Sequence, residues 1–547
     1  MKATRLAALL ALPLATAPLF AAEPGPPSLI VAISIDQFSA DLFAQYRQHF
    51  DGGLKRPSEG VVFPSAYQSH GGTETCPGHS VILTGSRPAR TGIFANSWYD
   101  QSLARADKKV YCAEDPTVSG SNSGSKRVVS PYFLRVPTLG DWMKRADPRV
   151  RSVVVSGKDR SAVMLGGHDA DQRWYWTSDR FAGTGKPTAA AAVAAVNRDV
   201  AEALAKDRDG MALPPVCRPH SRAINVTGGG DPVGTGRFAR DADDPINALR
   251  FMASPEVDAA TLDLAAGLRG EMRLGEGPAT DLLAIGLSAT DFIGHIYGTQ
   301  GSEMCLQLMA LDRALGDFFR KLDGADIDYL VMLTADHGGS DIPERKNQHA
   351  IADASRVDGN LSPSVVSADL TAKFGLNGPP LLAGEPFGDM YVDRSIAEPM
   401  RRRVLAAAVK TYRIHPQVEA VFTRSQLAAA PVPTGRPELW SLLDRAKASF
   451  DPERSGDFVV VLKSDVTPVH NTKSGSVAAH GSPWDYDRRV PLLFWRKGLV
   501  PFEQSLSVES VDILPTLGAL LGLSFPAGAI DGRCLDLDEG PASSCVR

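Results

Sequence analysis

The chain has 547 residues, 43% hydrophobic, 22% charged and 7% aromatic, a balance that belongs to a folded globular protein and excludes a disordered or fibrous one. With 58 Lys plus Arg against 63 Asp plus Glu, a net charge of −5 and a pI near 6.2, it lacks the massed positive charge of a nucleic-acid protein, so no specific nucleic-acid binding is expected and any phosphate must be handled locally. Its six cysteines include no CxxC pair, which suits disulfides better than a thiolate zinc site and leaves metals to His and carboxylates.

Residues 1–22 read as an export signal, with Lys2 and Arg5 before the apolar run Leu6 to Leu14 and small residues at Ala21-Ala22. The apolar run is shorter than a bilayer span and is interrupted by prolines. A periplasmic or secreted protein is therefore expected, without a membrane anchor after cleavage and two charges more negative than its precursor. Four β-branched runs follow: Ser28 to Ser34, Arg151 to Ser156, Leu282 to Gly286 and Tyr329 to Leu333. They read as buried parallel strands, and helical patterns such as Met304 to Lys321 and Val508 to Leu521 alternate with them. The predicted fold class is α/β: a central, mostly parallel sheet flanked by helices, with inserted cap regions. Core segments are expected over 23–160, 281–344 and 456–547, interrupted by an inserted cap over 161–280 and a second insertion over 345–455. Phe458 to Lys463 and Pro491 to Trp495 are expected to return the chain to the sheet. Cys534 and Cys545 close a short loop and form the pair most suited to a disulfide.

In such sheets ligands bind beyond the carboxyl ends of the strands. Each of the four runs is followed there by polar chemistry: Asp36, then Lys158-Asp159-Arg160, then Asp291, then Asp336-His337. Asp291 and His295 stand four apart, on one face of a helix, where they can share a metal. Asp336 and His337 are adjacent and need a turn past the strand end to act together, which Gly338-Gly339 supplies. With His480 these make three Asp and three His, a ligand mixture suited to two zinc ions. His70, His349, His415 and His470 read as surface or core histidines. In Thr73-Glu-Thr-Cys-Pro-Gly-His-Ser80, Pro77 belongs in a helix's first turn, which puts Thr75 at a helix N-terminus. Two readings stand side by side there: an N-cap threonine, or a hydroxyl placed where backbone N–H groups favour an anion.

Asp36, the Thr75-Cys-Pro-Gly-His-Ser80 segment, Asn96, Lys158-Asp-Arg160, Asp291-x-x-x-His295, Asp336-His337-Gly-Gly and His480 together resemble the threonine-nucleophile alkaline phosphatases of Gram-negative bacteria, the PafA/PhoK-like branch of the alkaline phosphatase superfamily. The resemblance runs from about residue 28 to the Val511-Asp-Ile-Leu-Pro-Thr516 segment. It implies that Asp291, His295 and His480 hold one zinc and that Asp36, Asp336, His337 and Thr75 hold the other. It implies that Thr75 attacks phosphorus and becomes phosphorylated, while Asn96, Lys158 and Arg160 bind the phosphoryl oxygens. The implied enzyme is a monomeric, exported hydrolase of small phosphate monoesters that releases alcohol and inorganic phosphate.

The nearest alternative is a nucleotide pyrophosphatase-type phosphodiesterase on the same two-zinc core, which generally lacks the Lys and Arg of the monoesterases. A sulfatase would need a C/S-x-P-x-R pattern, whereas here Cys76 is followed directly by Pro77. A cofactor-independent phosphoglycerate mutase relative would use Ser and manganese and would not be exported. A binding protein on a degenerate enzyme fold would lack a catalytic part, and none is missing.

Overall fold

The four apolar runs become adjacent parallel strands. In the computed structural model, which describes residues 25–118, 128–184, 191–349, 351–383, 387–540 and 543–545, Leu29–Ile35 lies between Asp281–Leu287 and Tyr329–Thr334, and Ser152–Ser156 pairs with the far side of Asp281–Leu287. Every residue of these strands is buried, which is why they read as unbroken hydrophobic runs without alternation. The export-signal region, residues 1–22, lies outside the described residues.

Arg489–Arg496 joins the sheet, as expected for Pro491 to Trp495, and runs antiparallel to both Tyr329–Thr334 and Val61–Tyr67, while Gln172–Trp176 and Phe181–Gly183, which the sequence pattern does not indicate, form the opposite edge. Residues 161–280 therefore supply two strands to the central sheet as well as the helix Pro255–Met272 packed against it. The long helix Ser302–Asp323 covers the sheet too, and Cys305 on it is joined to Cys217. The Cys534–Cys545 disulfide is present as expected.

Phe458–Leu462 is a strand but does not return to the central sheet. It pairs antiparallel with Gly388–Val392 and Val418–Thr423 in a separate four-stranded sheet with its own core, covered by helices Pro363–Phe374 and Met400–Arg413. The physical reason is that an apolar run specifies a buried strand without specifying its neighbour. This smaller lobe stands over the carboxyl ends of the central strands.

Candidate active site

Asp36 follows Leu29–Ile35 by one residue, and Asp336 follows Tyr329–Thr334 by two. Lys158 caps the helix Asp159–Gly166, which begins just after Ser152–Ser156, and Asp291 and His295 lie on Ala289–Tyr297, just after Asp281–Leu287. Parallel pairing brings all four ends to one rim.

Thr75 is the first residue of the helix Thr75–Ile82, and the residue preceding it, Glu74, occupies the N-cap position. Thr75 is therefore not the cap, and its hydroxyl is available for chemistry. The helix is buried throughout, held close to the sheet by Gly78: a Cβ there would lie 2.0 Å from the Asp336 carbonyl oxygen, so only glycine permits this approach. Lys158 Nζ and Arg160 Nη2 each lie 3.4 Å from Thr75 Oγ1. The Lys158 ammonium also donates to Asp36 Oδ2 at 2.7 Å and to Asp291 Oδ2 at 2.5 Å.

The six Asp and His residues converge as two trios. Asp291 Oδ1 is 3.4 Å from His295 Nε2 and 3.2 Å from His480 Nε2, and the two ring nitrogens are 3.2 Å apart. His337 Nε2 lies 3.4 Å from Asp36 Oδ1 and 3.3 Å from Asp336 Oδ2. All three histidines use Nδ1 against a backbone carbonyl: His295 with Ala478 at 3.0 Å, His337 with Gly338 at 2.9 Å and His480 with Thr73 at 2.8 Å. A carbonyl only accepts, so each Nδ1 carries a proton and each Nε2 is turned to the cluster, where a metal ion could take its lone pair, the arrangement found in metal-ligating histidines. Asp36 Oδ1, Asp291 Oδ1 and Asp336 Oδ2 are buried and face imidazole nitrogens at 3.0–3.4 Å. Burial and then the neighbouring Asp336 charge push Asp36 up to about 8. Burial opposes a charge on His480, but the hydrogen bond and charge of Asp291 outweigh it and lift the imidazole to about 9. Two sets of these side chains bring ligand atoms close enough together to hold a metal ion: Asp291, His337 and His480, and Asp36, His79 and Asp336; nitrogen and carboxylate oxygen donors of this kind suit zinc.

Asn96 is fixed by three backbone contacts. Its Oδ1 accepts from Cys76 N–H at 2.8 Å, its own N–H donates to Glu74 Oε2 at 2.5 Å, and its carbonyl accepts from Cys112 N–H at 3.0 Å. The Cys76–Cys112 disulfide fastens the same segments together. With Oδ1 engaged, the amide's donor end is left to meet a ligand. Tyr111, next to Cys112, donates to Asp159 Oδ1 at 2.6 Å, so the hairpin Ser97–Tyr99/Lys109–Tyr111 also supports the first turn of the helix that carries Arg160. Burial disfavours a charged guanidinium on Arg160, yet neighbouring Tyr111 and Asp159 and the more distant Asp36 and Asp291 raise its pKa further above the ordinary value.

One residue of the site escaped the sequence pattern. His79, four residues after Thr75 on the same helix face, sets Nδ1 2.9 Å from the Thr75 carbonyl and 3.0 Å from Asp336 Oδ2. The i, i+4 spacing from Thr75 was the available signal. The histidines set aside are elsewhere: His70 is buried, where desolvation holds it down to about 3, His415 pairs with Asp358 at 3.4 Å, and His349 and His470 are exposed.

A family model described as type I phosphodiesterase/nucleotide pyrophosphatase matches residues 30–483. The chain is 52% identical over 525 residues to alkaline phosphatase PhoK of a Sphingomonas species, covering 95% of this chain and 93% of that protein. It belongs to this family, in its PafA/PhoK-like alkaline phosphatase branch. Alkaline phosphatase PhoD of Zymomonas mobilis subsp. mobilis is 48% identical over 521 residues, 94% of this chain and 89% of that one. The crystal structure of alkaline phosphatase PafA superposes with a TM-score of 0.79 at 26% identity, covering 94% of this chain and 99% of that one. The family fold is the α/β architecture described above, and the chain is an enzyme.

Proposed function

We propose that this phosphatase is an exported zinc enzyme that cleaves phosphate monoesters through a phosphothreonine at Thr75. The observation that carries this reading is the placement of Thr75 Oγ1 within 3.4 Å of both Lys158 Nζ and Arg160 Nη2, beside two trios of metal-suited ligands. Asp291, His295 and His480 would hold one zinc, and Asp36, Asp336, His337 and Thr75 the other. When bound, two zinc ions supply Lewis-acid stabilisation to the attacking and leaving oxygens of an in-line displacement.

The chain's own residues do the rest. Thr75 Oγ forms a bond to phosphorus as the bond from phosphorus to the alcohol oxygen breaks, and the proton given up by the threonine hydroxyl is balanced by the one the departing alkoxide takes up from solvent, so the alcohol leaves neutral. Water then attacks the phosphothreonine, releasing inorganic phosphate and restoring the hydroxyl. Lys158 and Arg160, both in reach of Thr75 Oγ, are placed to hold the oxygens of a phosphoryl group on it, Arg as a planar fork and Lys as a point charge. Asn96 adds an uncharged donor. The three disulfides suit an oxidising compartment, which supports export. Among the described residues no helix is long and apolar enough to cross a membrane.

The matching family model includes phosphodiesterases, so the decisive comparison is between ester classes. A monoester dianion carries one more negative charge than a diester, and two cations answer it. Replacing both Lys158 and Arg160 with alanine is expected to cut monoester kcat/KM by roughly a thousandfold, with a diester of the same leaving group losing far less. Equal losses would refute the dianion-recognition role.

His79 bears on metal retention. Its hydrogen bond to Asp336 orients a proposed zinc ligand, and such partners are typically worth ~10–100-fold in metal affinity. His79→Ala is expected to weaken zinc binding by that factor, measured by competition with a chromophoric chelator. Unchanged affinity would leave His79 as helix packing alone.

A further inference from the structure

The helix that carries Asp291 and His295 does not cap itself. Its N-cap residue, Ser288, is buried with backbone in the helical region (φ −113°, ψ −9°) and makes no side-chain capping bond, whereas a serine that caps its own helix has extended backbone, which turns the hydroxyl onto the first turn. A Cβ on Gly157 would lie 2.7 Å from Ser288 Cβ, so Ser288 is pressed against the turn that leads into Lys158.

The cap comes from another helix. Asp258, on Pro255–Met272 and only 1% exposed, accepts with Oδ1 from Ser288 N–H at 2.8 Å and from Ala289 N–H at 3.0 Å, two of the donors that a helix start leaves without an intrahelical partner. Its Oδ2 accepts from Gln307 Nε2 at 2.8 Å, and the same amide lies 3.3 Å from Thr290 Oγ1. Ser288, Thr290 and Gln307 are buried with it, so water does not replace a partner that is removed, and the full desolvation cost of the stranded groups is felt.

Asp291 stands two residues beyond Ala289, with Oδ1 toward His295 and His480 and Oδ2 on Lys158. The far end of this helix is pinned separately, because His295 Nδ1 meets the Ala478 carbonyl. Asp291 therefore takes its place from the start of the helix, and that start is held by Asp258.

We propose that Asp258, steadied by Gln307, is a positioning residue that presets Asp291 for the zinc of the Asp291, His295 and His480 trio. It acts through the backbone of Ser288 and Ala289. The proposal rests on the two-zinc reading above. Without the cap the first turn frays once zinc has left, rebinding must order it again, and the loss falls on the zinc that uses Asp291.

The test titrates zinc off the loaded enzyme with a chromophoric chelator, which yields two dissociation constants. Asp258→Ala is expected to weaken one of them by about tenfold or more and to leave the other unchanged, whereas a general loosening of the fold would move both. Asp258→Asn should preserve both constants, because Oδ1 still accepts from Ser288 and Ala289 and a turned Gln307 amide accepts from the new Nδ2. His79→Ala, which acts through Asp336, should move the other constant. Gln307→Leu keeps the volume and removes only the donor to Oδ2; it should weaken the same constant as Asp258→Ala by a smaller factor, and it decides the matter should the alanine variant not fold. Fewer than two zinc ions on the unaltered enzyme would overturn the two-zinc reading and this role with it. Two ions with neither constant moved, with both moved together, or with asparagine failing as badly as alanine, would overturn the role of Asp258 alone.

Discussion

Replacing Thr75 with alanine is expected to lower phosphomonoester turnover by at least about a thousandfold, the order of loss seen when a nucleophile is removed while binding and electrostatic stabilisation remain. The phospho-enzyme, detected by acid quenching with labelled substrate, should disappear, because alanine has no oxygen to accept the phosphoryl group. The fold should persist. Thr75 contributes one hydroxyl at the start of a buried helix whose cap is Glu74, and its backbone N–H and carbonyl are unaffected by the change. Zinc should remain largely bound as well, since Asp36, Asp336 and His337 are unchanged. Thr75→Ser keeps an oxygen at the same position and should retain measurable phospho-enzyme. Near-normal turnover in the alanine variant would end the covalent mechanism.

Stripping metal with a chelator is expected to abolish activity, with zinc restoring it. Loss of metal leaves Asp36, Asp291 and Asp336 buried, with Lys158, Arg160 and the neighbouring imidazoles to balance them. Unpaired buried charge is costly, so the stripped protein takes up protons: Asp36 shifts up to about 8 and His480 to about 9. These protons must leave when zinc returns, so zinc binding should release protons near neutral pH and weaken as pH falls. Calorimetry in buffers of different ionisation enthalpy reads that release directly. Zinc should also raise the melting temperature, because it binds the folded site and not the unfolded chain, adding about 4 kcal/mol at a thousandfold excess over Kd. Full activity in metal-free protein, or uptake of zinc without proton release, would contradict this picture.

These expectations depend on how much of the site the chain order reveals. The four parallel strands were legible because burial on both faces leaves an uninterrupted apolar run. Their terminal residues were legible as chemistry because a parallel sheet gathers carboxyl ends at one rim. Asp291 and His295 could be paired from helical periodicity alone. Other elements were not readable. Val61–Tyr67 contains Pro64, and Gln172–Trp176 begins with two polar residues, so neither shows the unbroken aliphatic run of a central strand, yet both join the main sheet. His79 looked like any helical histidine until Asp336 was placed 3.0 Å from it. Cysteine count allowed disulfides without fixing which of Cys76, Cys112, Cys217 and Cys305 were partners.

Sequence alone determined the α/β class, the rim of Asp36, Lys158, Asp291 and Asp336, and the family, because those depend on residue type and local spacing. Tertiary structure decided where Phe458–Leu462 belongs: in a second lobe, among the residues that line the active-site cavity. It also decided that Glu74 and not Thr75 occupies the N-cap of Thr75–Ile82, and that His295 and His480 turn Nε2 inward because distant carbonyls take Nδ1. Such outcomes depend on contacts between segments far apart in the chain, up to 407 residues for His480 and Thr73, and local propensity carries no record of them.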